Sequence, residues 1–215
     1  TDFPCPQDRD EIAERTRRMC AIAEQTIAGY EPFFDVRLLV FPEFAHAAPA
    51  YETVRALRKN LAVPVPNEHT DAYEKLCRKH GCYIQTGSFI EFDPDFPDAV
   101  FNATLLIGPS GILSKYRKVN TWIPWEVHAS PHDFEDYPDE PFPVVDTELG
   151  KLGVAICYDW LFPETIRQIA VNGAEVTVTV DGDTVLINDS TVVTTDVEAS
   201  NGVIHVIDTV LIPQS

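Results

Sequence analysis

Between residues 9 and 173, stretches of helical spacing alternate with short apolar runs, and that alternation allows few architectures. Residues 9 to 29 place Ile12, Met19, Cys20, Ala23 and Ile27 on one stripe with Glu, Arg and Gln between them, which predicts an amphipathic helix. "DVRLLVFPEF" follows as a strand that ends in a turn. Residues 70 to 80 predict a second helix, with Thr70 as its N-cap and Gly81 just past its end. "CYIQTGSFIEF" then reads as one buried strand. "FNATLLIGPSGILSKYRKV" divides into two strands around a turn at Pro109 to Gly111, and "PFPVVDTELGKLGVAIC" repeats the pattern around Leu149 and Gly150. A helix after Cys157 has Pro163 and Glu164 in its first turn and ends at Asn172 and Gly173. Helices alternating with strands predict an α/β layered domain with its sheets covered by helices.

Near residue 175 the composition changes. All 12 Phe, 7 Tyr and 3 Trp precede Pro163, and no Lys or Arg follows Arg167. From Val176 onward ten valines and seven threonines fall in short runs separated by "DGD" and "ASNG", which predicts β-hairpins. The expected division is residues 1–174 as one unit and residues 175–215 as an all-β hairpin tail.

The chain has 215 residues, 45% of them hydrophobic, enough for one large core or two small ones. Its formal net charge of −18 argues against a nucleic-acid partner and against an anionic membrane surface. No apolar run approaches the roughly 20 residues that span a bilayer, and "TDFPCPQDRDE" has no basic start or apolar signal core. Without an initiator Met, the first residue reads as a cut end. Five cysteines (Cys5, Cys20, Cys77, Cys82, Cys157) are an odd number in a chain that needs no staples, so a reducing, cytoplasmic setting is expected. "CRKHGC" and "HASPHD" carry metal-binding residue types but lack a matching second pair, so no metal is expected.

Three motifs put a reactive side chain at a strand end: Glu43 in "FPEFA", Lys118 in "KYRKVN" and Cys157 in "AICYDW". Strand ends are where side chains from separate segments of an α/β fold converge. Each has a plain alternative taken singly. Without its context Cys157 reads first as a small buried hydrophobe, Glu43 as a surface carboxylate and Lys118 as one of several solvated bases. Asp159 reads as the residue that bonds backbone N–H groups and fixes the turn after the strand. Trp122, Trp125 and Trp160 either wall a pocket or fill the core, and residues 133 to 141 read as a solvated loop.

Taken together, "LLVFPEF", "YRKVN" and "GVAICYDWLFPE", with Arg167 and "NGAE" beyond, resemble the nitrilase superfamily of carbon-nitrogen hydrolases over about residues 8–174. The resemblance implies an α-β-β-α sandwich, here truncated, and a Glu-Lys-Cys triad. It implies Glu43 as general base, Lys118 as the cation that stabilises the tetrahedral intermediate and Cys157 as nucleophile. Glu126, in "WIPWE", matches the second carboxylate of amidase-like members; Tyr158 and Trp160 join it as residues that bind or position substrate. A small amide, carbamoyl compound or nitrile is the implied substrate, no metal or organic cofactor is required, and a homo-oligomer is an expected assembly.

The chemistry is consistent with those residue types. A free thiol has a pKa near about 8.5, so attack on an unactivated amide needs a base within reach. Charge that develops on the carbonyl oxygen needs a fixed cation and a backbone N–H, for which Lys118 and the Tyr158 N–H are the candidates. After "NGAE", however, the expected second half of the sandwich gives way to "ASNGVIHVIDTVLIP", residues 199 to 213, which resembles the end of a fasciclin-like adhesion domain. The chain reads as a chimera joined near residues 174 to 176. Two further functional readings follow: a non-catalytic adhesion or interaction protein acting through the tail, and an inert fusion.

Overall fold

The structure, a computed structural model, describes residues 5–181, 184–187, 192–199 and 202–207. Helix α1 spans Arg9–Tyr30 and begins where the Asp8 carboxylate accepts the Glu11 N–H at 2.9 Å, with Asp10 and Glu11 favouring the positive helix end. It buries Ile12, Thr16, Met19 and Ala23, with Cys20 and Ile27 half-buried beside them, so the predicted stripe is its inner face. Strand β1, Leu38–Val40, is shorter than its apolar run, because Pro42 has no N–H to continue a ladder and a 3-10 turn follows at Glu43–Ala45. Helix α2, Val54–Asn60, has no counterpart in the sequence reading. Seven residues capped by Thr53 and burying Leu57 alone show no helical period.

Helix α3 spans Glu68–His80, and its N-cap is Asn67 rather than Thr70. The Asn67 side chain accepts the N–H groups of His69 and Thr70 at 2.8 and 3.0 Å, while the Asn67 N–H donates to the Thr70 hydroxyl at 2.9 Å. Thr70 thus closes a capping box from inside the first turn. Gly81 ends the helix at φ +64°, as expected of a left-handed cap.

The run 82–92 forms two strands, β2 (Tyr83–Gln85) and β3 (Phe89–Glu91), where one was expected. Gly87 lies in the break, and a Cβ there would come 2.7 Å from the Pro42 carbonyl oxygen. Backbone therefore meets backbone between this break and the "FPE" turn. Strand β4, Phe101–Gly108, is buried along its whole length and forms the spine of the first sheet. β2 and β3 pair antiparallel with it, β5 (Gly111–Arg117) pairs antiparallel through the predicted turn, and β1 lies parallel to β2.

The second sheet runs β6 (Val144–Thr147), β7 (Gly150–Ile156), β8 (Val176–Asp181) and β9 (Thr184–Ile187). β6 and β7 form a hairpin whose turn is Glu148 and Leu149, one residue before the predicted Leu149 and Gly150. Helix α4, Pro163–Val171, crosses from β7 to the parallel β8. The strand just past the expected boundary thus shares a sheet with β7, from Leu152 opposite Val176 to Ile156 opposite Val180. β10 (Val192–Ala199) and β11 (Gly202–Ile207) form a separate antiparallel pair. Of the fasciclin-like motif, residues 200–201 and 208–213 lie outside the described residues, and so does the side-chain environment of His205.

Alternation along β4 joins the layers. Leu105 and Ile107 meet Met19 and Ala23 of α1 and Tyr73 and Leu76 of α3, whereas Leu106 turns to the opposite face and packs with Tyr83 and Leu152. Ile166 and Ile169 of α4 cover Val154 and Ile156, and a Cβ at Gly153 would overlap the Ile169 side chain. The order is helix, sheet, sheet, helix.

Under α1 a polar group interrupts this core. The Thr16 hydroxyl lies 2.6 Å from Nε2 of His46 and 3.1 Å from Nδ1 of His69, and all three residues are buried. Burial holds both histidine pKa values below the ordinary value, His46 most strongly. The unfolded chain therefore binds protons that the folded one refuses, and stability is full above about pH 6.5 and falls below it by up to about 1.4 kcal/mol per pH unit per histidine. Urea unfolding between pH 7.5 and 5 should show a shallower acid loss in His46→Gln than in the wild type. Equal slopes would remove His46 from the acid response.

Candidate active site

Glu43 opens the 3-10 turn after β1, and its position follows from the break between β2 and β3. The Ser88 N–H donates to the Glu43 carbonyl, and the Ala47 N–H donates to the Ser88 carbonyl at 3.1 Å. Lys118 immediately follows β5, and its N–H donates to the Asn102 carbonyl at 2.8 Å. Glu126 ends a turn in which its N–H donates to the Trp122 carbonyl at 2.9 Å, while its Oε2 accepts the Trp122 N–H at 2.6 Å. Three separate stretches thus deliver three buried charges to one place.

Lys118 Nζ donates to Glu43 Oε1 and to Glu126 Oε1, both at 2.9 Å. Asn102 Nδ2 braces the same two oxygens at 2.8 and 3.2 Å. Glu43, Lys118 and Glu126 are 4%, 1% and 5% exposed, so two carboxylates share one ammonium away from water. Burial pushes the Glu43 pKa up and Lys118 only partly opposes it, with the nearby Glu126 charge adding to the rise. Burial acts the same way on Glu126, but Lys118 and the Trp122 N–H outweigh it and hold that carboxyl below its usual value. For Lys118 burial favours the neutral form, yet the two carboxylates win and its pKa is raised. The result is a fixed cation, a fixed anion at Glu126 and a carboxylate at Glu43 with heightened proton affinity.

Cys157 caps β7 with φ +46°, the one positive-φ residue other than glycine among those described. Left-handed backbone costs an L-residue about 1–2 kcal/mol, so the surrounding bonds must hold it. Asp159 supplies them. Its Oδ2 accepts the Ile156 N–H at 2.9 Å and the Tyr116 hydroxyl at 2.7 Å; its Oδ1 accepts the Asn120 N–H at 2.8 Å and Asn120 Nδ2 at 3.0 Å. Residues 116 and 120 flank Lys118, and residues 156 and 159 flank Cys157, so this buried carboxylate ties the cysteine turn to the lysine segment. Cys157 is half-buried against the core cluster to which Tyr116, Val119 and Phe142 belong. The sequence-based reading of Asp159 as a turn-fixing residue agrees with this network.

Asp159→Ala strands four donors and should cost roughly 4 kcal/mol, at about 1 kcal/mol for each unsatisfied buried group. Urea denaturation checks the loss; a change under about 0.5 kcal/mol would show that the turn holds without the carboxylate.

The other site residues are placed unequally. Tyr158 is half-buried, its ring set edge-on to Phe162 at 5.3 Å. Trp160 packs against the cluster beneath α4. Trp122 and Trp125 are 46% and 42% exposed, so they do not fill the core, and Trp125 meets Phe44 edge-on beside Glu43. No group of three metal-ligating side chains occurs among the described residues. Sequence reasoning passed over Asn102 and weighed His128 only as one of the metal-binding residue types in "HASPHD". Asn102 had a signal, a lone amide in the apolar run "FNATLLIG".

Comparison with known proteins bears on the family and the fold. The chain is 30% identical over 184 residues to a formamidase of Bacillus thuringiensis, an alignment that covers 84% of this chain and 51% of that protein. It therefore spans about half the length of the curated relatives it matches. Its fold is similar to Saccharomyces cerevisiae Nit3, of branch 10 of the nitrilase superfamily, with TM-score 0.63 and 24% identity over 82% of this chain and 60% of that one. An amidase from Nesterenkonia sp. AN1, solved after Michael addition of acrylamide at its active-site cysteine, superposes with TM-score 0.55 and 19% identity, covering 84% of this chain and 64% of that one. The sequence model of the carbon-nitrogen hydrolases matches residues 5–202, across the composition change near residue 175. With that match over most of its length, the chain belongs to the carbon-nitrogen hydrolase family.

Proposed function

We propose that this chain hydrolyses the carbon-nitrogen bond of a small amide through a thioester on Cys157. The buried Glu43–Lys118–Glu126 cluster, tied to the strained Cys157 turn through Asp159, carries the reading. Both bonds that hold the Glu43 carboxylate fall on Oε1, which leaves Oε2 to take a proton from a thiol or a water. Glu43 accepts the Cys157 proton as sulfur attacks the carbonyl carbon, and the oxyanion is stabilised by Lys118 and the Tyr158 N–H. Glu43 then returns the proton to the leaving nitrogen, ammonia departs, and a thioester remains. Water, deprotonated by Glu43, opens the thioester to the acid and the free thiol.

An amide is favoured over a nitrile because Glu126 gives Lys118 a second carboxylate, and because the curated relatives are named formamidases. The test is ammonia release from a panel of small amides, carbamoyl compounds and nitriles. Release from amides, in preference to nitriles, is expected. A folded protein that releases no ammonia from any of them would overturn the proposal.

A further inference from the structure

Asn102 serves the charge cluster with both its backbone and its side chain. On β4 it pairs with Ile90 of β3, its carbonyl accepts the Lys118 N–H at 2.8 Å, and its amide reaches the two partners of Lys118, Glu43 and Glu126. Alternation puts it on the face of β4 that carries Leu106, between the two sheets, where it is fully buried. Its Oδ1 is a buried atom without a hydrogen-bond partner. An orphaned buried acceptor destabilises a fold, so packing alone does not account for an amide at a place that a leucine of similar volume would fill without one. Nor can the amide turn over, because Oδ1 in place of Nδ2 would face two carboxylate oxygens.

A primary amide nitrogen carries two N–H groups, one for each carboxylate. An ammonium carries three, and Lys118 spends two of them on the same two oxygens, both at 2.9 Å. Glu43 Oε1 and Glu126 Oε1 therefore each receive one N–H from Asn102 and one from Lys118, in a closed ring. Neither carboxylate can swing its second oxygen onto the third N–H of Lys118 without breaking its bond to Asn102.

We propose that Asn102 is a positioning residue for the hydrolysis: it pins Glu43 and Glu126 by their Oε1 atoms, keeps Glu43 an anion with Oε2 for the proton, and spares the third Lys118 N–H for the oxyanion. The consequence for turnover rests on the amide-hydrolase reading; the effect on Glu43 ionisation does not. Burial, the largest influence on Glu43, raises its pKa; Lys118 opposes the rise, and the Asn102 N–H acts with Lys118. Nδ2 lies nearer Glu43 than Glu126, 2.8 against 3.2 Å, so Glu43 has more to lose. The charged groups around Glu43 among the described residues are Lys118 and Glu126, with His128 next to both; Cys157 is the group whose proton it receives in the proposed reaction. Burial pushes the His128 pKa down to about 4, so that ring stays neutral at the pH values of the test.

The test follows the Glu43 carboxyl carbon by NMR in the glutamate-labelled whole chain between about pH 5 and 9, with Glu43→Gln to assign it. Loss of one hydrogen bond to the charged form should raise the Glu43 midpoint by about one pH unit in Asn102→Leu. Asn102→Asp, of the same shape with a charge in place of the donor, should raise it further. Glu43 is a base only when ionised, so the acid limb of kcat/KM for a small amide should move up with it. On the pH plateau kcat and kcat/KM should fall together by about 10²-fold, as an ~1 Å misplacement costs. The wild type supplies a readout that needs no variant: the Asn102 Nδ2 protons should titrate with the Glu43 midpoint. A midpoint unmoved in either folded variant, or wild-type Asn102 protons flat across it, would overturn the role. So would a loss of the same factor at every pH, expressed as a higher KM. The NMR titration needs no turnover, so a chain that shows the shift but hydrolyses nothing fails only the hydrolase reading. A chain that hydrolyses amides with limb and midpoint unmoved by Asn102→Leu fails only this one.

Discussion

Cys157→Ala is expected to lower amide hydrolysis by at least about 10⁴-fold, since removing a nucleophile leaves only binding and electrostatic stabilisation to act on water. Its fold should survive, because the Asp159 carboxylate and the Ile156 N–H hold the turn. The φ of +46° gives a second readout. Glycine adopts that backbone without a Cβ penalty, so Cys157→Gly should be about 1 kcal/mol more stable than Cys157→Ala and equally inactive. Urea midpoints of the two variants decide it. An alanine variant as stable as the glycine one would mean the turn carries no strain.

Lys118→Met removes the cation that two buried carboxylates share, and both activity and stability should fall. Loss of a charge aimed at the oxyanion costs on the order of 10²–10³ in rate. An uncompensated buried charge costs about 3–5 kcal/mol. The pH dependence distinguishes this from simple loss of packing. Without Lys118 the folded-state pKa of Glu43, already raised, rises further and that of Glu126 passes from below to above its unfolded value, so folding is favoured with the proton bound and weakens as pH rises through the raised values. The Lys118→Met variant should therefore be more stable at pH 6 than at pH 8 relative to wild type. Adding Glu126→Gln should restore stability without restoring turnover. A variant whose deficit is the same at both pH values would show that the ammonium does not hold two charged carboxylates.

The fold was legible where one local signal decided an element. The stripe from Ile12 to Ile27 gave α1, the glycine at position 81 gave the end of α3, and the hairpin turns before Gly111 and Gly150 fell within a residue of where they were expected. It was not legible where a distant contact decided. The run 82–92 divides at Gly87, where the backbone lies against Pro42, and a lone glycine in an apolar run does not announce that distant contact. Thr70 resembles a cap by itself and loses that place to Asn67, whose amide also donates to the Pro64 carbonyl at 2.7 Å.

The site shows the same division. Glu43, Lys118, Cys157 and Glu126 could be named from their motifs, and the first, second and fourth meet within hydrogen-bond distance. Asn102 gains its meaning only when β4 brings its amide to the two carboxylates. An amide shared between two distant side chains is a property of three dimensions.

The most direct test of the account is intact-mass spectrometry of the wild-type chain, acid-quenched during turnover of a small amide, followed by mapping of any adduct among its five cysteines. The account predicts an increase equal to the substrate's acyl group less one hydrogen, located on Cys157, absent in Cys157→Ala and discharged by hydroxylamine as the hydroxamate. Ammonia released with no acyl group on Cys157, or an acyl group carried by another of the thiols, would contradict it.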